Sequence, residues 1–299
     1  MRVLRSMGQA IAHRGPDDEQ FYDDGVLSLV YRRLAIVDIA GGRQPLFNED
    51  ASSLLVCNGE IYNHTELRDG LKARHTFKTA SDSEVLLHGL EEWQEGVLQR
   101  ARGMFAFAAW DLRRQRLFLA RDRLGIKPLY VCHLPHGLLF GSELKALLVH
   151  PECPREMDWR DLSGNPIAQA LTPTYVKGID FLPGASYLVA QAGQKAQVHS
   201  YWNLGQHLNT APFGLDAKRY IAAFDELLES AVAEHLQGEA AVGLHLSGGV
   251  DSSLVAAVAA PLRPGMPCYT IVERSNYLAG DALAAADVAA TLGLDWSPV

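Results

Sequence analysis

Apolar positions recur along the chain at two different periods, and the switches between them mark out the elements. Val3, Leu4, Met7 and Ile11 stand at helical spacing, so the protein opens on a helix over residues 2–12. That helix runs into a polar turn built by Gly and Pro, His13-Arg14-Gly15-Pro16-Asp17-Asp18. Residues 26–38 (VLSLVYRRLAIVD) are β-rich and apolar apart from Arg32 and Arg33, which predicts a buried strand pair. A guanidinium is rarely buried unpaired, so these arginines read either as part of a structural ion pair or as a receptor for a carboxylate.

Residues 54–57 form a further short apolar strand that leads into Asn58-Gly59-Glu60-Ile61-Tyr62-Asn63. Asn-Gly is the commonest hairpin turn. The other reading ends the strand there and presents an amide side chain and a backbone N–H to one oxygen. Asn63 with Glu66, and Ser81 with Glu84, have the spacing of capping boxes for two helices, the second over residues 85–93. Asp82 falls in the first turn of that second helix, where the dipole favours a carboxylate. Residues 103–111 and 116–121 predict one hairpin, and residues 129–132 and 138–141 a second that turns at Pro135-His136-Gly137. A short helix follows over 142–149, then a last hairpin over 186–190 and 196–201. Clustered strands with two or three helices predict a layered α+β domain over 1–202.

A polar, Pro- and Gly-bearing stretch follows, giving a linker over 203–215 and a second domain over 216–299. Asp216 caps a long helix with Tyr220, Ile221, Phe224, Leu227, Leu228, Ala231 and Val232 on one face. Residues 242–246 read as a strand buried on both faces, and Ser247-Gly248-Gly249 as a tight turn. A helix opens at once, with Asp251, Ser252 and Ser253 at its cap and first turn and Leu254, Val255 and Val258 on its apolar stripe, until Pro261 and Pro264 stop it. A strand over 269–272 and a helix over 279–292, closed by Gly293, continue a doubly wound parallel α/β pattern.

Strand, glycine turn and helix in succession bring free N–H groups and a helix dipole to one point, a ready site for phosphate oxygens. The string has neither the Gly-Lys-Ser/Thr of a Walker loop nor G-x-G-x-x-G. Composition narrows the picture further. The 299 residues carry a formal charge of −8, against a nucleic-acid surface, and no apolar run reaches membrane-spanning length. Cys57, Cys132, Cys153 and Cys268 are scattered without CxxC spacing, so no disulfide framework, no zinc-ribbon spacing and no metal site is expected, and a reducing cytoplasm is.

Seven strings stand in order along nearly the whole chain: HRGPDD (13–18), RRLAIVD (32–38), NGEIYN (58–63), SDSE (81–84), GMFAFAAWD (103–111), RDRLGIKPLY (121–130) and LSGGVDSS (246–253). Together they resemble the glutamine-hydrolysing asparagine synthetases. That resemblance implies an N-terminal-nucleophile glutaminase domain, an αββα sandwich, followed by an ATP pyrophosphatase domain. It implies amide transfer from glutamine to aspartate or a related carboxylate, with Mg-ATP consumed, and often a homodimer. It places Arg33 on the glutamine α-carboxylate within the pocket-lining segment Arg33, Leu34, Ala35, Ile36 and Val37. Glu60 and Asp82 fall at the α-amino end, and Asn58 with Gly59 in the oxyanion hole. Leu246, Ser247, Gly248, Gly249, Asp251, Ser252 and Val272 fall around ATP.

The family opens on Met-Cys-Gly-Ile, whose cysteine is the nucleophile, whereas this sequence opens Met1-Arg2-Val3. Strand alternation points Cys57 away from the side of Asn58, so it does not substitute. The expectation is a chain shortened at both ends, lacking the family's first strand and the later synthetase motifs, with a gap in one sheet and both half reactions impaired. The alternatives are a β-lactam-synthetase-like enzyme without glutaminase activity and a non-catalytic glutamine-binding protein.

Overall fold

A computed structural model describes residues 1–159, 174–208, 216–273 and 280–299. The chain divides into two compact units, Met1–Leu208 and Asn209–Val299. Of the expected linker, residues 203–208 hold a short 3-10 turn, Leu204–Gln206, and residues 209–215 lie outside the described residues.

In the first unit, helix α1 (Arg2–Ala10) leads to an antiparallel pair, β1 (Asp18–Asp23) and β2 (Ser28–Arg33). Residues 26–38 are therefore one strand and a loop rather than a strand pair. The partner is β1, whose sequence DEQFYD carries too little apolar alternation to be read as a strand. Alternation also separates the two arginines. Arg32 pairs with Glu19, its neighbour across the ladder, at 2.6 Å, while Arg33 is buried.

Strands β3 (Leu46–Phe47) and β4 (Ser53–Ile61) follow, and β4 does not stop at Cys57. Its register against β5 (Gly103–Asp111) is unbroken, with Asn58 opposite Ala106 and Gly59 opposite Phe105, which rules out the Asn-Gly hairpin. Between them lie α2 (His64–Leu71), α3 (Glu84–Trp93) and the single turn α4 (Val97–Arg100). Neither capping box forms. Asn63 instead ties the start of α2 to the loop before β5, donating to the Arg100 carbonyl and accepting from Arg102 N–H. Glu84 turns back to accept from the N–H groups of Lys78 and Thr79.

The remaining strands are β6 (Arg116–Arg121), β7 (Tyr130–Leu134), β8 (Gly137–Gly141), β9 (Ile179–Phe181), β10 (Ser186–Gln191) and β11 (Gln197–Ser200), with α5 (Leu144–Leu148) after β8. The three expected hairpins form, and β3 and β9 are additions. The central sheet has the order β11-β10-β6-β5-β4-β3. Leu55, Cys57, Ile61 and Phe107 on one of its faces pack beneath Leu67 and Leu71 of α2 and Leu86 and Leu87 of α3. Leu54, Val56, Ala106 and Ala108 on the other face meet Leu29, Leu129 and Val131 of a second strand layer. Beyond that layer, Leu147 and Leu148 of α5 pack on Cys132 and Ile179, and α1 lies against β2 and α5. The layers run helix, sheet, sheet, helix, the expected αββα sandwich.

The second strand layer is not continuous. It consists of two sheets, β1-β2 and β8-β7-β9. Residues of β2 and of β8 face each other across a cavity of about 540 Å³, with α1 above it and Val56, Asn58, Ala106 and Ala108 of the central sheet below.

The second unit holds α6 (Ala217–His235), β12 (Leu244–His245), α7 (Val250–Leu262), β13 (Pro267–Thr270), α8 (Asp281–Leu292) and β14 (Asp295–Pro298). The three strands are parallel in the order β12-β13-β14, with α7 and α8 as the crossovers of a parallel α/β unit. Asp216 caps α6 by accepting from Lys218 N–H, and Gly293 closes α8 in the left-handed region at φ 66°. Several expectations need correction. The strand over 242–246 has only two residues in the ladder, and His245 is exposed, so it is not buried on both faces. Pro261 does not end α7 but sits inside its last turn. The buried face of α7 is Ala256, Ala259 and Ala260, while Leu254 is exposed. On α6 only Val232 is buried, and Tyr220, Ile221, Phe224 and Leu227 are exposed. Strand 269–272 shifts to β13, and Ala279, the expected start of the last helix, lies outside the described residues.

Candidate functional site

The cavity collects most of the residues expected around glutamine. Arg33, Leu34, Ile36, Val37, Asn58, Gly59, Glu60 and Asp82 all line it, and Ala35 does not. Ala35 N–H instead donates to Asp17, which anchors the loop after β2. The side chains at 33, 58 and 82 thus surround one hollow.

Strand β4 supplies the donors. Phe105 N–H and carbonyl are both engaged with Asp122, so Phe105 turns its polar groups away from β4 and the Gly59–Phe105 pair is not hydrogen bonded. Cys57, Gly59 and Ile61 therefore send their N–H groups to the opposite edge, at the period of two that a strand imposes. The Cys57 N–H is taken by Gln44 Oε1 at 2.6 Å and the Ile61 N–H by Asp82 Oδ2 at 2.7 Å. The Gly59 N–H points out between these two groups, both of which line the cavity. Glycine is required at this position because β5 comes so close: a Cβ would lie 2.1 Å from the Met104 carbonyl oxygen. Beside it, Asn58 Nδ2 is buried and has no hydrogen-bond partner among the described residues. An orphaned donor of this kind costs about 1–3 kcal/mol, and a ligand oxygen would recover it.

Asp82 is only 5% exposed. It does not stand in the first turn of α3, which begins at Glu84, but in the loop before it, where its carboxylate braces β4. Burial raises its pKa above the ordinary carboxylate range, against the lowering effect of the Ile61 N–H and His64. Arg33 reaches the same cavity wall from β2. Its guanidinium donates to the carbonyls of Val37, Asp38 and Ile39 at 3.2, 2.7 and 3.0 Å, so three of its five N–H groups hold the cavity wall and not an ion pair.

Two contributors were not singled out from sequence. Gln44 is buried and grips both the N–H and the carbonyl of Cys57, fixing the edge beside Gly59, and no local pattern signals it. Lys127 lines the cavity because buried Asp122 gathers the N–H groups of Leu124, Ile126 and Lys127. RDRLGIKPLY contained that signal as a string, without a role.

The four cysteines offer no activated thiol. All are buried, and burial raises each pKa, that of Cys132 to about 11. Cys57 packs into the core on the α3 side of the central sheet, as alternation predicted.

In the second unit, the loop from Ser247 to Ser252 is shaped by its own hydroxyls. Ser247 Oγ and Ser252 Oγ are 2.9 Å apart, and both Ser247 N–H and Gly249 N–H are held by these oxygens. Gly248 has φ +79°, and a Cβ there would lie 2.4 Å from the Asp281 carbonyl oxygen, so the loop is wedged against the start of α8. Asp251 lies in the first turn of α7 and is exposed. The Leu246 side chain is fully buried and its carbonyl accepts from the Thr270 hydroxyl. Val272 lies beyond β13, its N–H donating to the Val299 carbonyl at 2.9 Å.

Comparison with known proteins agrees with both halves. The family model described as glutamine amidotransferase domain matches residues 1–202, and that described as asparagine synthase matches residues 223–298. Asparagine synthetase [glutamine-hydrolyzing] 2 of Bacillus subtilis is 39% identical over 290 residues, covering 94% of this chain and 39% of that protein. Asparagine synthetase B [glutamine-hydrolyzing] of Escherichia coli is 35% identical over 258 residues, covering 84% of this chain and 40% of that protein. The chain thus spans less than half the length of these relatives. Among solved structures, the allosteric regulatory enzyme of purine biosynthesis superposes with a TM-score of 0.43 at 17% identity, covering 90% of this chain and 50% of that one. Among the described residues no helix is long and apolar enough to cross a membrane. The matched models and the sequence identities establish that the chain belongs to the asparagine synthetase family, with a glutamine amidotransferase domain followed by asparagine-synthase sequence.

Proposed function

We propose that the first unit binds glutamine in the cavity beside β4 and that the second binds the phosphates of Mg-ATP, the two substrates of amide transfer to aspartate or a related carboxylate. The observation that carries the first half is the buried, unpartnered Asn58 Nδ2 next to an outward-facing Gly59 N–H. Two donors converging on one oxygen suit a carboxamide and, more strongly, the oxyanion that forms when it is attacked. Asp82, once ionised, supplies the counter-charge for an α-ammonium, and the positive charge of Arg33 favours an α-carboxylate at the far side. Hydrolysis also needs a nucleophile, and the four buried thiols supply none. What these residues do by themselves is bind and orient the amide. A cavity that keeps these glutamine-facing groups favours glutamine-dependent amide transfer over the β-lactam-synthetase-like alternative, which has no use for a glutamine receptor.

In the second unit, the wedged turn at Gly248 and the first-turn N–H groups of α7 suit a pyrophosphate group, with Mg2+ arriving on the nucleotide. Calorimetry with glutamine tests the central reading. The full chain should bind glutamine. Asn58→Ala should weaken binding several-fold, about 1 kcal/mol, while leaving the melting temperature nearly unchanged, because the residue removed was itself an unsatisfied donor. Absence of glutamine binding, or a loss of stability in Asn58→Ala as large as its loss of affinity, would overturn it.

A further inference from the structure

On the opposite face of the central sheet from the cavity, four side chains meet between the β3–β4 turn and the helical layer. Glu49 follows β3, His75 lies just beyond α2, and His88 and Glu91 stand one turn apart on α3. One donor atom from each lies within 4.8 Å of the other three. His75 Nδ1 is 3.3 Å from a Glu49 oxygen and 3.7 Å from a Glu91 oxygen. His88 Nδ1 is 3.8 Å from Glu49 and 3.3 Å from Glu91. A tetrahedral ion with nitrogen and oxygen ligands at about 2.0–2.2 Å sets its donors about 3.3–3.6 Å apart. Glu91 offers the same oxygen to both rings and Glu49 one oxygen to each, and all four distances lie within a few tenths of an ångström of that spacing, so a small rotation of the Glu49 carboxylate completes the set.

The surroundings match as well. Both imidazoles turn Nδ1 inward, and in both Nε2 is buried without a hydrogen bond among the described residues. Behind His88 Nε2 stands Glu84 at 3.5 Å, and behind His75 Nε2 stands Glu92 at 3.9 Å. A carboxylate behind a ligating histidine fixes the ring and leaves the other nitrogen free for an ion. The glutamates are oriented too, Glu91 accepting from Asn48 Nδ2 and Glu49 from Thr76 N–H. A plain ion-pair network asks only that each histidine touch one carboxylate. It does not explain why two rings, 4.8 Å apart, present the same nitrogen to the same two carboxylates.

We propose that Glu49, His75, His88 and Glu91 bind a divalent transition-metal ion of the zinc class. The ion clips the turn after β3 to the helical layer. It also holds both ends of the loop that carries Asp82, since His75 precedes that loop and Glu84, behind His88, caps it through the Lys78 and Thr79 N–H groups.

The probe is zinc ion itself, added to the metal-stripped full chain. The parent should retain a single equivalent after gel filtration and melt several degrees higher than without zinc. The double variant Glu49→Gln/Glu91→Gln keeps the hydrogen-bonding side-chain oxygens and should melt near the metal-free parent while losing both retention and the shift. His75→Asn, on the more accessible histidine, gives an independent reading if the double variant fails to fold, with the same losses expected. A parent that retains no zinc, or variants that retain it undiminished, would overturn the proposal.

Discussion

Arg33, Gln44 and Asp82 in the first unit are buried and held by strand and loop backbone, whereas Ser247, Gly249 and Asp251 in the second stand exposed at the end of a two-residue strand. The first arrangement is made by contacts between segments far apart in sequence, Gln44 with Cys57 and Asp82 with Ile61. The second is made almost within seven residues, by the Ser247 and Ser252 hydroxyls. A site built from distant segments is preorganised by the fold and fails with it. A loop built locally keeps its shape when its surroundings change.

Gly59→Ala should break this contrast most severely. A Cβ there meets backbone, the Met104 carbonyl oxygen at 2.1 Å and Phe105 Cα at 2.6 Å, so β4 and β5 must part at the centre of the sandwich. A loss of about 4 kcal/mol is expected in denaturant unfolding of the first unit. The transition of the second unit should stay in place, and a loss below about 1 kcal/mol would mean that the strands are not so closely apposed.

The same strand shows what was legible beforehand. β5 and β6 could be read from GMFAFAAWD and RLFLAR because both are apolar runs ended by charge. β1 could not, because none of its residues is buried and most are polar. Asn58-Gly59 looked locally like a hairpin, and only its pairing with Ala106 and Phe105 on a strand far along the chain shows that it runs straight through. Asn63 and Glu84 fit a local capping rule but are drawn off by the loops at 100–102 and 78–79. The turn at residues 247–249 was legible because its geometry is contained in its own string. Leu254 misled for the opposite reason: which face of α7 is buried depends on neighbours, and they select alanines.

Asp82→Asn is next in size, and it separates binding from folding. Asparagine keeps an acceptor for the Ile61 N–H but removes the charge, so glutamine affinity should fall by about 3 kcal/mol, roughly a hundredfold, by calorimetry. The pH dependence has a definite sign. Burial raises the folded-state pKa, so between the unfolded and folded values the native protein binds more protons, and stability attributable to Asp82 rises as pH falls. Glutamine binding needs the ionised form, so affinity should drop over that same window, which begins above the ordinary carboxylate range. Both trends should vanish in Asp82→Asn. A parent whose affinity and stability fall together would point to general acid unfolding and not to this carboxylate.

The smallest effects come from two glycines of the second unit that share a backbone conformation and differ in surroundings. Gly248 and Gly293 have φ of +79° and +66°, so alanine at either incurs left-handed strain of about 1 kcal/mol. At Gly293 a Cβ meets nothing within 4 Å, and the strain should be the whole loss. At Gly248 it meets the Asp281 carbonyl oxygen at 2.4 Å and Ala285 N at 2.8 Å, backbone atoms of the first turns of α8 that cannot rotate away. Gly248→Ala should therefore cost about 1–2 kcal/mol more than Gly293→Ala in the same unfolding experiment. That difference isolates the wedge between loop and helix from the conformational preference of glycine. Equal losses would mean that the loop stands clear of α8, and its shape would then rest on the two serine hydroxyls alone.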